Sequence, residues 1–378
     1  MIWLAVPALA AAAYYALAIV AALRWGRGSW WGRRLRLPLA GHAGPLTPLS
    51  ILKPVHGRDP HFYEAIRSHA AQDYPDFEIL FGVSDPRDPA LEDIARLQRE
   101  FPLRNIEAVV VSTQAANAKV GVLAELARRA RHPWLLVNDS DIRVETGYLR
   151  AVAAPLADPA VGLVTCLYRG RAESWPARME ALGIATEFAP SVMVARLLGQ
   201  AEFALGSTMA LRADALRAAG GFEALADYLA DDYQLGKRIA QTGRRIEFAP
   251  VVVETDLGAA SLAETWRHQV RWSRTIRVSR PGGYYGCVVT HATFWAIVAF
   301  AAGQWWIGAA ALVVRMTAGA LGGIVLQDRY VPGALWLVPF RDLFGFAVWL
   351  GGAFGDTIYW RGRKLKLLAG GRIATCAE

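Results

Sequence analysis

Asp139 and Asp141 close the apolar run Leu135-Leu136-Val137-Asn138 with two carboxylates two residues apart. A strand sends alternate side chains to one face, so both reach the same side if the extended backbone continues past Val137. Hard carboxylate oxygens at a strand's C-terminal end suit a divalent cation, and that cation suits a diphosphate. Alone, an Asp-Ser-Asp is more commonly an acidic turn, because Asp and Ser are ordinary turn residues.

Other residues along the chain can do related chemistry. Asp85, in Val83-Ser84-Asp85-Pro86, follows an apolar run. It can accept hydrogen bonds from a nucleobase or ribose, or simply make a turn before Pro86. Lys119, after Asn117-Ala118, opens a helical pattern, where a cation opposes the dipole unless an anion sits there. Asp231 and Asp232 begin another helical pattern. The dipole favours them there as caps, and a carboxylate held near a hydroxyl is also a general base. Ser261 and Glu264 have capping-box spacing. The helix they open carries Leu262, Trp266 and Val270 on one stripe and Arg267, Arg271 and Arg274 on the next. Such an amphipathic basic helix fits a membrane interface. A sharper use has Arg271 neutralising a leaving diphosphate and Trp272 stacking near an acceptor.

These residues need elements to position them. Leu49 to Val55, Phe77 to Val83, Ile106 to Val111 and Trp134 to Val137 read as strands. His61 to Ala71, Pro89 to Glu100 and Ala118 to Arg131 read as helices between them. This alternation predicts a largely parallel sheet with helices on both faces and a ligand crevice beyond the strand ends. Asp85 and the Asp139/Asp141 pair then share one crevice.

The flanks are apolar. Residues 2 to 23 carry no charge and, at about 1.5 Å per residue, are long enough for a bilayer core of about 30 Å. No basic stretch precedes them and Arg24, Arg27, Arg33, Arg34 and Arg36 follow, which fits an uncleaved anchor with its following chain in the cytoplasm. Gly286 to Ala302 and Trp305 to Leu326 read as a helical hairpin turning at Gly303-Gln304. Arg315, inside the second run, must face protein, water or a headgroup. Leu335 to Trp360 is broken by Pro339, Arg341, Asp342 and Asp356. Two C-terminal spans leave the basic stretch Arg361-Gly362-Arg363-Lys364-Leu365-Lys366 inside; three leave it outside. The expected domains are an anchor over 1–25, a catalytic domain over 45–260, an interfacial helix over 261–282, and a membrane region with a basic tail over 283–378.

Composition agrees. Hydrophobic residues at 54% against 20% charged exclude a disordered chain and call for membrane segments beside a globular part. The net charge of +8 sits beside apolar runs, which points to an anionic membrane surface, and no nucleic-acid-binding motif is present. Cys166, Cys287 and Cys376 are far apart, with no zinc or disulfide spacing.

The motifs Ser50-Ile51-Leu52-Lys53-Pro54-Val55-His56-Gly57, Gln72-Asp73-Tyr74-Pro75, Val83-Ser84-Asp85-Pro86, Asn117-Ala118-Lys119-Val120, Asn138-Asp139-Ser140-Asp141, Gly220-Gly221-Phe222, Leu229-Ala230-Asp231-Asp232-Tyr233 and Arg271-Trp272 occur in this order. Together they resemble the membrane-bound glycosyltransferase 2 superfamily, its ceramide glucosyltransferase branch (family 21), and within that the bacterial hopanoid-biosynthesis-associated glycosyltransferases. The resemblance implies a GT-A domain, with a Rossmann-like, mixed and mainly parallel α/β sheet, between N- and C-terminal transmembrane helices. It implies nucleotide contacts from Lys53, Pro54, Asp85, Lys119 and Asp139, and Mg²⁺ or Mn²⁺ on Asp139 and Asp141. It implies a catalytic base at Asp232, and Arg271 and Trp272 as the RW of a (Q/R)xxRW signature. His268 stands at the Q/R position of that signature, either as a substitute phosphate donor or because the position is relaxed in this branch. The implied reaction is inverting transfer of one sugar, glucose or N-acetylglucosamine, from a UDP-sugar to a lipid hydroxyl. The acceptor is a hopanoid polyol or a ceramide-like lipid, and the place is a bacterial inner membrane with the catalytic domain facing the cytoplasm. A processive polysaccharide synthase shares the motifs but needs more spans. A transporter or scaffold built on Arg315 would leave the acidic strand ends without purpose.

Overall fold

A computed structural model describes residues 2–29 and 46–375. Arg33, Arg34, Arg36, Cys376 and the expected start of the catalytic domain at residue 45 lie outside them. The chain begins with α1 (Val6–Ser29) and enters alternating strands and helices. These are β1 (Leu49–Val55), α2 (Phe62–Ala70), β2 (Phe77–Val83), α3 (Ala90–Glu100), β3 (Asn105–Val110), α4 (Ala118–Arg129), β4 (Trp134–Val137), β5 (Ile142–Arg143), α5 (Tyr148–Leu156) and β6 (Val161–Arg171). Then follow α6 (Trp175–Gly183), a π-helical turn over Ile184–Phe188, α7 (Ala189–Leu197), β7 (Met209–Arg212), α8 (Ala213–Ala218), α9 (Asp231–Gln241) and β8 (Arg245–Asp256).

The strands form one eight-stranded sheet in the order β3-β2-β1-β4-β7-β6-β8-β5. β3, β2, β1 and β4 run parallel. β4–β7, β7–β6 and β8–β5 are antiparallel. This is the mixed, mainly parallel sheet expected of a GT-A fold. Every residue of β1 and β2 is buried, as central parallel strands covered on both faces require. β3, at the edge, exposes Asn105, Ala108 and Val110. One face packs Leu52, Leu80, Leu135 and Val137 against Val120, Leu123 and Leu126 of α4 and Leu235 and Ile239 of α9. The β4 ladder on β1 stops at Leu52, so Pro54 sits where only β2 still pairs and its missing N–H is tolerated.

The chain divides into two compact units. The sheet unit holds the described residues of 38–168 together with 202–256; the other holds those of 1–37, 169–201 and 257–378. The expected continuous domain over 45–260 is therefore interrupted: α6, the π-helical turn and α7 pack with the C-terminal helices.

In that second unit come α10 (Leu262–Ser279), α11 (Pro281–Gly286), α12 (Ala292–Ala301), α13 (Trp305–Leu326), α14 (Val331–Ala334) and α15 (Val338–Gly352). Trp3–Trp25, Trp305–Leu326 and Val331–Gly352 are each long and apolar enough to cross a membrane. The continuous helix expected over Gly286 to Ala302 is broken. Pro281–Thr290 and Ala292–Ala301 meet at a 50° bend, because His291 leaves helical backbone geometry (ψ 64°). Ala5, Ala8, Ala296, Ala299 and Ala311 let α1, α12 and α13 approach closely.

Arg315 has found protein. It is fully buried on α13, with Nη2 donating to Asp342 Oδ1 at 2.6 Å and Nη1 to the Thr186 carbonyl at 2.9 Å. Asp342 also accepts from Thr293 Oγ1 at 2.7 Å, and the Tyr15 ring lies 4.7 Å from the guanidinium.

The basic tail is not a free tail. β9 (Thr357–Trp360), β10 (Arg363–Leu367) and β11 (Ile373–Thr375) form an antiparallel meander. Its first turn places Arg361 and Gly362 at φ 48° and 76°, a left-handed pair suited to a tight hairpin. Leu365 and Leu367 point inward while Arg363, Lys364 and Lys366 stay exposed, the period-two pattern of a one-sided sheet.

Candidate active site

The C-terminal end of β4 carries the densest chemistry in the sheet unit. Asn138 is fully buried and anchors the turn: its Nδ2 donates to the Ser207 carbonyl at 2.7 Å and to Tyr148 Oη at 2.9 Å. His69 Nε2 meets its Oδ1 at 3.2 Å. Asp139 follows, half-exposed, with Oδ1 2.7 Å from Lys119 Nζ. Lys119 also lies 3.2 Å from Asp231 Oδ2 and bridges the two carboxylates while only 8% exposed. The sequence placed Lys119 at a helix N-terminus, where a cation needs an anion. Within the protein, Asp139 and Asp231 are those anions. Burial pulls the Lys119 ammonium down, but Asp139 and Asp231 more than offset this and hold it above the ordinary lysine range. Asn117 sets the helix start: Oδ1 accepts from Val120 N at 3.3 Å, and Nδ2 donates to the Tyr228 carbonyl at 2.8 Å.

Asp232 begins α9 beside Asp231. Its Oδ2 accepts from Gly206 N at 2.9 Å and its Oδ1 from Tyr233 N at 2.7 Å. Burial, then repulsion from Asp231, push its carboxyl up to about 6, against the pull of Lys119. Asp141 behaves alike: burial and the charge of Asp139 push it up to about 6, although the Thr255 hydroxyl donates to it. Ser140 donates to Asp59 Oδ2 at 2.5 Å, tying this loop to the chain after β1.

Three expected nucleotide contacts are placed differently from one another. Lys53 is fully buried in β1, and its Nζ donates to the Asp139 carbonyl at 3.1 Å. Burial pulls its ammonium down to about 7, against Asp141 and Asp139. It props the loop from below. Pro54 is a buried strand residue. Asp85 is exposed and accepts from Arg87 N at 2.8 Å, an Asx turn of the kind its sequence allowed.

Gly206 escaped the sequence reading. A Cβ there would lie 3.1 Å from Asp139 Oδ2 and 3.4 Å from Asp232 Oδ2. A side chain there would crowd the Asp139 carboxylate by a few tenths of an ångström, so glycine gives this backbone its close approach to both carboxylates while its N–H donates to Asp232. The turn-like Gly206-Ser207-Thr208 was its one sequence signal.

The remaining candidates lie on α10, in the other unit. The capping box forms as spaced: Ser261 and Glu264 bond reciprocally. His268 Nδ1 lies 2.8 Å from Oε1 of buried Glu180, and its ring packs 4.8 Å from that of Trp272. A carboxylate thus holds this histidine. Arg271 is half-buried and Trp272 exposed. Arg274 turns from the expected headgroup stripe to donate to the Thr357 carbonyl at 2.7 Å, and Arg277 donates to the Gly352 carbonyl at 2.9 Å, capping α15.

Asp139 and Asp141 fit a hard divalent cation. Both are oxygen donors, and burial together with the charge of Asp139 pushes Asp141 up, a cost that a cation would relieve. Among the described residues no group of three or more His, Cys, Asp or Glu gathers as a complete metal site. The protein would supply two carboxylates, and phosphate and water oxygens the rest, as suits a cation carried on a nucleotide.

Comparisons with known proteins found relatives in sequence and in fold. The chain is 24% identical to ceramide glucosyltransferase 1 of Caenorhabditis elegans over 362 residues, covering 87% of this chain and 74% of that one. Ceramide glucosyltransferase 3 of the same organism is 27% identical over 205 residues, covering 52% and 44%. The fold matches the mannosyltransferase PcManGT from Pyrobaculum calidifontis, solved with GDP-Man and Mn²⁺, at a TM-score of 0.55 and 20% identity, over 93% of this chain and 97% of that one. The profile of glycosyl transferase family 21 matches residues 4–373, and the chain belongs to that family of glycosyltransferases.

Proposed function

We propose that this glycosyltransferase moves one sugar, with inversion, from a UDP-sugar to a hydroxyl of a membrane lipid. The observation that carries the reading is Asp232, a carboxylate pushed up to about 6 beside the Lys119-bridged pair of Asp139 and Asp231. A base of that strength is mostly ionised near neutrality and still accepts a proton from a developing alkoxide. Gly206 N and Tyr233 N orient its two oxygens. Lys119 holds Asp139 in place from one side and Lys53 holds the Asp139 carbonyl from below. Asp139 and Asp141 would hold Mg²⁺ or Mn²⁺. When bound, such a cation neutralises the diphosphate leaving group. Arg271 would add positive charge toward that leaving group, and Trp272 an apolar face for the acceptor.

The ceramide glucosyltransferase relatives support a ceramide-like acceptor. The motif resemblance supports a hopanoid polyol. The sugar is glucose or N-acetylglucosamine. Arg24, at the C-terminal end of the span Trp3–Trp25, favours a cytoplasmic catalytic domain, at a bacterial inner membrane. Arg315, the basis of a transporter reading, is fully paired inside the protein.

The test supplies the purified protein in nanodiscs with UDP-glucose or UDP-N-acetylglucosamine and either ceramide or a hopanoid polyol, with mass spectrometry of the lipids. A glycolipid one sugar heavier than one acceptor is expected. EDTA should stop its formation and Mn²⁺ or Mg²⁺ restore it. No glycolipid from any pair overturns the reading, and full activity in EDTA overturns the metal.

A further inference from the structure

Two arginines lie in the C-terminal membrane helices, and the protein treats them differently. All three nitrogens of the Arg315 guanidinium have partners: Nε and Nη2 donate to Asp342, and Nη1 to Thr186. Arg341 is 7% exposed on α15, within the apolar span Val331–Gly352. Its Nη2 donates to Gln269 Oε1 at 3.1 Å and pairs with Glu187 Oε2 at 3.3 Å. Its Nε and Nη1 are buried and meet no hydrogen-bond acceptor among the described residues. Glu187 Oε2 and His291 Nε2 are likewise buried without a hydrogen bond. His291 is 5% exposed, at the bend before α12, and its ring lies 5.3 Å from that of Phe346 on α15, the helix of Arg341.

A second observation converges on the same place. The π-helical turn Ile184–Phe188 carries Thr186, which serves Arg315, and Glu187, which faces Arg341. Such turns widen a helix at a strain and are concentrated at functional sites. In apolar surroundings, buried donors and acceptors without partners are costly unless a ligand completes them.

The unmet groups define the ligand. Arg341 offers donors, Glu187 an acceptor, and His291 either. A hydroxyl answers both kinds at once. Glu187 cancels the charge of Arg341 and repels a phosphate, so a neutral head is favoured over an anionic one.

We propose that Glu187, Gln269, His291 and Arg341 form a binding site for the neutral, hydroxyl-bearing head of a membrane lipid. This rests on the lipid-acceptor reading above and names the groups that hold the acceptor. The test uses the full chain in nanodiscs, with fluorescent NBD-ceramide as the neutral probe and NBD-phosphatidic acid as the anionic one. Glu187→Gln and Arg341→Lys should each weaken NBD-ceramide binding about tenfold, the effect of one buried hydrogen bond. They should raise the KM for acceptor similarly, with the KM for UDP-sugar unchanged; the unchanged donor KM also reports an intact fold. Wild-type protein that does not bind NBD-ceramide, or both variants binding it normally, overturns the site. Tighter binding of NBD-phosphatidic acid than of NBD-ceramide by the wild type assigns the site to an anionic lipid and overturns it too. Glycolipid formation with unchanged probe binding in both variants sinks this site and leaves the transfer reading intact. Ceramide binding through these residues without any glycolipid does the reverse.

Discussion

At the scale of single residues, the sheet unit concentrates charge that must be balanced locally. Lys119 is the balance: without it, buried Asp231 and half-exposed Asp139 lose the cation between them. Asp232 carries the sharpest prediction. Asp232→Asn keeps the Gly206 N–H partner through its amide oxygen but accepts no proton, so transfer should fall by about 10²–10⁴-fold with UDP-sugar affinity retained. Wild-type-like turnover by this variant in the lipid assay would remove the base assignment. In the wild type, kcat should fall about tenfold per pH unit below about 6, as Asp232 takes up its proton. The same shift bears on stability. The folded carboxyl binds its proton more tightly than an unfolded one with a pKa near about 3.9, so stability falls as pH rises between about 4 and about 6. With Asp141 and Asp232 each ionised the fold is in its less stable state, and that is the state the proposed chemistry needs.

At the scale of elements, α13 and α15 are joined by Arg315 and Asp342. Arg315→Met strands a buried carboxylate and should destabilise by about 3–5 kcal/mol, whereas Arg315→Met with Asp342→Leu should recover much of that loss. Thermal unfolding in detergent reads both; equal melting temperatures for the single and double variants would show that the pair does not act as a unit. The sequence made these elements unequally legible. β1, β2 and β4 have the bounds read from it, because buried apolar runs there stop sharply at polar or glycine residues. Arg315 demanded a partner, but Asp342 lies 27 positions away and read as a helix breaker. The π-helical turn has no periodic signature, and Glu180 as partner of His268 joins positions 88 apart. Charge and spacing exposed the carboxylates. Gly206 stayed hidden because its role is to be small among them.

At the scale of the whole molecule, each unit is built from separate stretches of chain. α6 and α7 leave the sheet after β6 and belong to the helical unit, yet the ends of this excursion stay pinned to the sheet unit. Leu205 N donates to Thr165 Oγ1 at 3.0 Å, so the chain leaves and returns at nearly the same place. A short closure therefore costs little entropy. A fragment of residues 46–256 with 172–201 replaced by a few Gly and Ser residues should be soluble without detergent and bind UDP. The same fragment with 172–201 retained should need detergent. If both behave alike by size-exclusion chromatography, the excursion is not what ties the sheet to the membrane helices.

That interleaving also sets an order of assembly. During synthesis β4 emerges long before β7, its neighbour in the sheet. Between them the nascent chain must deliver α6 and α7 to a helical unit whose other helices, apart from α1, do not yet exist. The half-made sheet thus waits with an open edge at β4, and the excursion waits for helices as far downstream as α15. Translation that pauses near residue 200 would expose both at once, making that stretch the point at which a chaperone or the insertion machinery has most to protect.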